Sequence, residues 1–167
     1  MAGSGLSYII PAYNEENAIV ETIQRLRKVL DGMDIASEII VVNDGSRDAT
    51  RNKAESCEGV RVFNHPVNTG YGSAIKTGII AARFDWIGII DADGTYDIEQ
   101  LPLLVERMRQ GFDMAVAARQ NVLALDRPLK RLSRRLLIKF LNLLISARIE
   151  DPNSGFRLFT KIGRAHV

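Results

Sequence analysis

The chain has one cysteine, Cys57, and two histidines in 167 residues. A lone thiol excludes an internal disulfide, and no second cysteine or histidine cluster supplies zinc-ligand spacing. Cys57 therefore reads as a half-buried, inert helix residue, and the expected setting is a reducing cytoplasm. Long hydrophobic runs are missing too: Leu6 to Ile10 is too short for a secretory core or a membrane span, and Met1 to Ser7 carries no basic residue. The expectation is a chain that is not exported. With 5 Pro and 13 Gly it is neither collagenous nor low-complexity, and 46% hydrophobic against 25% charged residues excludes a disordered chain. No internal repeat or linker is visible, so one domain with one core is expected.

What is present is unevenly charged. The net charge of +2 hides 12 Lys/Arg against 18 Asp/Glu in residues 1–126, then 10 against 2 in residues 127–167. An acidic body suits acidic-residue or metal chemistry, and a basic late segment suits phosphates, lipid headgroups or nucleic acid.

Apolar, β-rich runs alternate with helical patterns. Strands are predicted over Ser7–Ile10, Glu38–Val42, Arg61–Asn64, Trp86–Ile90 and Met114–Ala117, and helices over Glu15–Leu30, Asp48–Cys57, Tyr71–Arg83 and Ile98–Gln110. Ile19, Ile23, Leu26, Val29 and Leu30 show the three-and-four spacing of one helical face. Continuous apolar strands such as Ile39-Ile40-Val41-Val42 imply burial on both faces, hence an open, mostly parallel, doubly wound α/β sheet. Every polar cluster follows a predicted strand: Pro11 to Glu15, Asn43 to Ser46, Asn68 to Gly72, Asp91 to Asp93, and Arg119. All therefore belong at the carboxyl edge, where open α/β sheets bind ligands.

Taken singly, these clusters have bland readings. Gly70-Tyr71-Gly72 lacks the third glycine of a dinucleotide fingerprint because Ile75 stands there, and the same Ile75 spoils the P-loop ending at Lys76-Thr77. Either a glycine-permitted turn or a phosphate or ribose contact remains open at Gly70. Asp91-Ala92-Asp93 places two carboxylates at the end of a buried strand, where they repel unless a cation or donors compensate them. Mg²⁺ or Mn²⁺ shared with a nucleoside diphosphate would do so, and an Asx turn is the alternative. Asp44-Gly45 is also a strong turn signal, and Tyr13-Asn14-Glu15-Glu16 also fits a helix start.

As a set, the clusters resemble family 2 glycosyltransferases of the GT-A fold, and among them the polyprenyl-phosphate, dolichol-phosphate mannosyltransferase-like branch. The resemblance spans residues 7 to 160 and rests on five ordered motifs: Ile9 to Glu16, Glu38 to Ser46, Asn68 to Gly78, Ile90 to Asp93, and Asp151-Pro-Asn-Ser-Gly-Phe-Arg157. It implies inverting transfer of a sugar from a nucleotide-sugar donor by direct displacement. In such enzymes the segment of Pro11, Tyr13, Asn14 and Glu15, together with Asp44 and Gly70, would hold the nucleobase and ribose. Asp91 would lie near the ribose and diphosphate. Asp91 and Asp93 would bind Mg²⁺ or Mn²⁺, which neutralises charge on the departing diphosphate. Where many mannosyltransferases carry Gln two residues past the second aspartate, this chain has Thr95, so neither mannose nor a third metal contact is implied.

The acceptor depends on what attacks. A sugar or protein hydroxyl needs a general base, for which Asp151 is the candidate. A lipid phosphate is already anionic and needs only cations, and Arg119, Arg131 and Arg157 match the branch's phosphate holders. The segment Arg127 to Arg148 independently favours the phosphate: it contains seven Lys/Arg and no Asp/Glu, with apolar residues at helical spacing. Such a basic amphipathic helix, over about 127–148, fits the inner membrane surface, with core packing as the alternative. Nucleic acid is not an expected partner, since the rest of the body is acidic and no binding motif is recognisable. The expected catalytic set is Asp93, Asp151 and Arg157. Residues 161–167 read as a non-native tail on a truncated domain, and Lys161 onward is given no role.

Overall fold

The computed structural model describes residues 5–117 and 154–161. The chain divides into two compact units, residues 1–116 with 155–167, and residues 117–154. Of the second unit only Ala117 and Ser154 are described, joined by a hydrogen bond from the Ser154 hydroxyl to the Ala117 carbonyl at 2.6 Å.

In the first unit the order is β1 (Gly5–Ala12), α1 (Ile19–Asp31), β2 (Ala36–Asn43), α2 (Thr50–Glu55), β3 (Val60–Asn64), α3 (Tyr71–Ala81), β4 (Trp86–Ile89), a 3₁₀ turn (Ile98–Gln100), α4 (Leu101–Arg109), β5 (Met114–Val116) and β6 (Arg157–Thr160). They build one sheet in the order β3-β2-β1-β4-β6-β5. The pairs β1–β2, β1–β4 and β2–β3 are parallel, as the crossover pattern requires, whereas β6 runs antiparallel to both β4 and β5.

The sixth strand was not predicted. It is four residues long, and its half-exposed Arg157 and Thr160 show no run or alternation to read. Its direction matters for function. Because β6 runs against β4, its first residue, Arg157, pairs with Ile89 at the end of β4. The Gly155-Phe156-Arg157 stretch therefore arrives at the carboxyl edge of the parallel strands.

All eight residues of β1 are buried, so both faces of the central sheet are covered. On one face Ile9, Ile40, Val42, Ile87 and Ile89 pack with Ala74 of α3. Gly78 permits that close approach, since a Cβ there would stand 2.5 Å from Ile9 Cγ2. The alternating residues Leu6, Tyr8, Ile10, Ile39 and Val41 are equally buried on the other face. Helix α1 contributes the buried stripe Ile19, Ile23, Leu26 and Leu30, and α4 contributes Leu101, Leu104, Val105 and Met108.

Three helix starts come later than their sequence patterns, among them α2, which begins at Thr50 rather than Asp48 and ends at Glu55, short of Cys57. Helix α1 begins at Ile19 rather than Glu15: the Glu15 and Glu16 amides are held by Thr50 Oγ1 and Asp48 Oδ2 in the neighbouring loop, and the Glu15 carbonyl accepts the Ala18 and Ile19 amides at the helix entrance. The Ile98–Gln110 pattern opens as a 3₁₀ turn and becomes helix α4 at Leu101, with Pro102 at an early position where its missing N–H costs nothing. Pro11 sits in a central strand for a related reason: Ile9 offers its carbonyl to Ile90, and Pro11, facing the same way two residues later, lies past the last β4 pair.

Candidate active site

The carboxyl edge is built from four loops. The first two are zipped together by short polar side chains. Asn14, with φ +56°, donates its amide to Ser46 Oγ, and its own side-chain oxygen accepts from the Arg47 amide at 2.9 Å. Glu16 Oε2 accepts from the Ala49 amide while Lys53 Nζ donates to the Glu16 carbonyl. Tyr13 and Asn14 thereby remain exposed at the rim, Glu15 is half-buried, and Pro11 is buried beneath them.

Asp44 joins the second loop to the third. It is buried, and its carboxylate accepts from the Thr69 amide at 2.9 Å, the Thr69 hydroxyl at 2.8 Å, the Gly70 amide at 2.8 Å and His65 Nδ1 at 2.7 Å. The far nitrogen of His65 meets Thr77 Oγ1 at 2.9 Å. Burial alone would raise the Asp44 pKa, but donors from Thr69, His65 and Gly70 outweigh it and hold it at about 2. Gly45 completes the junction: its φ is +70°, and a Cβ would lie 2.4 Å from the Val67 carbonyl carbon. Asp44 therefore spends its lone pairs on the β3–α3 loop.

That loop delivers Tyr71, the first residue of α3, to the fourth cluster. The Tyr71 hydroxyl donates to Asp91 Oδ1 at 2.8 Å. Burial and this bond push the phenol's pKa well up, while the positive charge of Arg157 opposes them, so Arg157 is within electrostatic reach of the Tyr71 phenol. On the other side Gly155 lies against the Asp91 carboxylate, where a Cβ would be 2.2 Å from Oδ2. The Gly155 amide donates to the Tyr96 hydroxyl at 2.6 Å, and the buried Tyr96 ring packs on Phe156 with centroids 5.9 Å apart.

Asp93, two residues on, is exposed, and its Oδ1 accepts from the amide and hydroxyl of Thr95 at 3.0 and 2.8 Å. The Asx turn anticipated as the bland reading is thus present and leaves the carboxylate at the surface. The turn is tied down from below by Thr22 Oγ1, which donates to the Ala92 carbonyl. Glu15 completes the acidic edge: burial first, then the negative charges of Asp93, Asp48 and Asp91, raise its pKa.

These groups fit a hard divalent cation. Asp91 and Asp93 supply anionic oxygens at one strand end, and their field on Glu15 is the repulsion that a cation relieves. Among the described residues no group of three or more His, Cys, Asp or Glu could hold an ion alone.

Of the residues singled out from sequence, Pro11, Tyr13, Asn14, Glu15, Asp44, Gly70, Asp91, Asp93 and Arg157 come to this one edge. Arg119, Arg131, Asp151 and the 127–148 segment lie outside the described residues. Lys161, given no role, donates its amide to Asp85 and its Nζ to the Ala82 carbonyl. Four contributors were missed: Tyr71, His65, Tyr96 and Gly155. An aromatic residue between two glycines at a helix start was a usable signal for Tyr71. Gly155 stands inside the Asp151–Arg157 motif already singled out, whereas nothing local announces His65 or Tyr96.

The family description Glycosyl transferase family 2 matches residues 7–164. Agl6, a low-salt glycan biosynthesis hexosyltransferase of Haloferax volcanii, is 35% identical over 161 residues, covering 93% of this chain and 38% of its own length. The dolichyl-phosphate beta-glucosyltransferase ALG5D of Trichomonas vaginalis is 33% identical over 177 residues, covering 93% of this chain and 53% of its own. Glucosyl-3-phosphoglycerate synthase of Mycobacterium tuberculosis, solved with phosphoglyceric acid, superposes with a TM-score of 0.77 at 25% identity over 96% of this chain and 58% of that one. The same enzyme solved with Mn²⁺, uridine-diphosphate-glucose and phosphoglyceric acid gives 0.73 at 23% identity, over 96% and 57%, a likeness of fold. The chain thus spans about half, or less, of the relatives it matches.

Proposed function

The chain belongs to glycosyl transferase family 2, and from that premise we propose that it moves a sugar from a nucleotide-sugar donor to a polyprenyl phosphate at the cytoplasmic face of a membrane. The observation that carries this reading is the antiparallel β6, which brings the cation of Arg157 to the edge where Asp91 and Asp93 end β4. A site that moves a sugar between two phosphates needs both signs of charge at one place: carboxylates to share a metal with the leaving diphosphate, and a cation to seat the incoming phosphate.

The chemistry is a direct displacement. An oxygen of the acceptor phosphate attacks the anomeric carbon, the bond from that carbon to the diphosphate oxygen breaks, and the electron pair leaves with the nucleoside diphosphate, inverting the centre. Mg²⁺ or Mn²⁺, when bound, neutralises the charge that builds on the diphosphate. Asp93, exposed and turn-held, and Asp91 beside it would hold that ion. Tyr13, Asn14 and Glu15 line the rim for the nucleoside, and Asp44 acts by holding the loop that carries Gly70. Arg157 orients the acceptor, and Arg119 and Arg131 are proposed to share that work. The phosphate attacks as an anion, so no general base is required. Relatives named for dolichyl- and undecaprenyl-phosphate sugar transfer support this acceptor.

The test is incubation with Mn²⁺ or Mg²⁺, a panel of radiolabelled nucleotide sugars and a short polyprenyl phosphate, counting label in the organic phase. Label should move, and Asp93→Ala should lower the rate by about 100-fold or more. Asp151→Asn should leave it within about threefold, because an anionic nucleophile has no proton to give up. Label transferred only to phosphoglyceric acid in a parallel tube would shift the acceptor to a small phosphorylated acid, as the structural relative's name suggests.

A further inference from the structure

We propose that Tyr71 is a positioning residue for Asp91, its hydroxyl fixing one carboxylate oxygen while Gly155 confines the other, so that Asp91 is set for the donor before the donor arrives. This rests on the reading above that Asp91 serves a nucleotide-sugar and its metal.

Three observations converge on Tyr71. The bond to Asp91 Oδ1 is 2.8 Å, a hydroxyl donating to a carboxylate, among the stronger hydrogen bonds a neutral group can make. The backbone that carries the phenol is placed independently of Asp91. Tyr71 follows Gly70, whose amide is held by Asp44 Oδ2, and the Gly70 carbonyl in turn accepts the Ser73 and Ala74 amides that open α3. The carboxylate is also bounded on its second oxygen, because Gly155 lies so close that a Cβ would stand 2.2 Å from Oδ2.

The physical need is plain. Asp91, Asp93 and Asp48 together act on Glu15 as a concentration of negative charge. Left alone, Asp91 would turn away from its neighbours toward water. A donor on one oxygen and a wall at the other remove that freedom, so the cost of ordering the carboxylate is met in folding rather than in binding. Tyr71 is itself half-exposed, with 48% of its surface accessible, so its ring is not core and its hydroxyl can be removed without opening a cavity.

The experiment is Mn²⁺ titration, followed by electron paramagnetic resonance, of the protein with UDP or GDP present, comparing wild type with Tyr71→Phe. Affinity for the Mn²⁺–nucleotide pair should fall about tenfold, the size of one charge-assisted hydrogen bond. In the transfer assay the donor KM should rise by a similar factor with kcat within about threefold, and the thermal midpoint should not move. Gly155→Ala, which attacks the same carboxylate from the other side, should weaken Mn²⁺–nucleotide binding in the same sense. Wild-type affinity and KM in Tyr71→Phe would overturn the proposal, as would a fall in kcat alone. If the wild type binds Mn²⁺–nucleotide but labels no lipid, the acceptor reading fails and this one is still decided by the binding data. If the wild type binds neither nucleotide with Mn²⁺, both fall.

Discussion

Asp44 accepts two amides, a hydroxyl and an imidazole nitrogen inside the protein, and its pKa is held at about 2 against an ordinary 3.8. A folded-state pKa below the unfolded one means that ionisation favours the folded state. The stabilisation is complete above about pH 4 and is lost as pH falls through the window down to about 2. Asp44→Asn replaces an acceptor by a side chain that can turn an NH₂ toward the Thr69 and Gly70 amides, so it should cost about 2 kcal/mol at pH 7. Urea unfolding of the two proteins checks this: the gap should be full at pH 7 and narrow toward pH 3. A gap that widens on acidification would mean that Asp44 is not ionised in the fold. The sequence marked Asp44 as special through Asp-Gly-Ser, but not what it binds, because its donors stand 21 to 26 residues away in a loop whose approach is a tertiary fact. Asp93 was more legible, since both partners of its turn, the amide and hydroxyl of Thr95, are two residues on.

At the level of elements, the parallel part of the sheet was legible because each strand is an apolar run followed by a crossover helix with its own period. Strand β6 was not, because four residues wedged between β4 and β5 owe their conformation to neighbours far along the chain. The same holds for the seam between the second and third loops, and glycine substitutions separate local backbone demand from that packing. Gly45 and Gly111 both have positive φ, +70° and +91°. A Cβ on Gly111 meets nothing within 4 Å, whereas one on Gly45 runs into the Val67–Asn68 backbone at 2.4 and 2.6 Å. Gly111→Ala should therefore cost only the left-handed backbone term, about 1 kcal/mol. Gly45→Ala adds overpacking of roughly 1–3 kcal/mol against backbone that cannot swing aside. Chemical denaturation should rank Gly45→Ala well below Gly111→Ala. The donor KM should rise only in Gly45→Ala, since only that residue packs against the β3–α3 loop that leads to Gly70 and Tyr71. Equal losses would show the seam to be loose.

On the scale of the whole molecule the uneven charge acquires a direction. The acidic body gathers Glu15, Asp48, Asp91 and Asp93 at one edge, a field that repels anionic lipid as well as a bare diphosphate. The excess of 10 Lys/Arg over 2 Asp/Glu in residues 127–167 is the part of the sequence able to offset that repulsion at a membrane. Among the described residues no helix is long and apolar enough to cross one. The proposed contact with the lipid surface is assigned to the cations of that late segment. Each Lys or Arg near an anionic surface contributes roughly 1 kcal/mol, screened over a Debye length of about 8 Å at physiological salt. Changing Arg134, Arg135 and Lys139 together to Gln should then weaken binding to vesicles of mixed anionic and zwitterionic phospholipid by about 100-fold, while Mn²⁺–nucleotide binding stays at the wild-type value. Wild-type binding to the same vesicles should also fall steeply as salt is raised from 50 to 500 mM. Vesicle co-sedimentation measures both. Salt-insensitive binding would assign the membrane contact to apolar insertion, and loss of nucleotide affinity in the triple variant would assign those cations to the donor rather than the lipid.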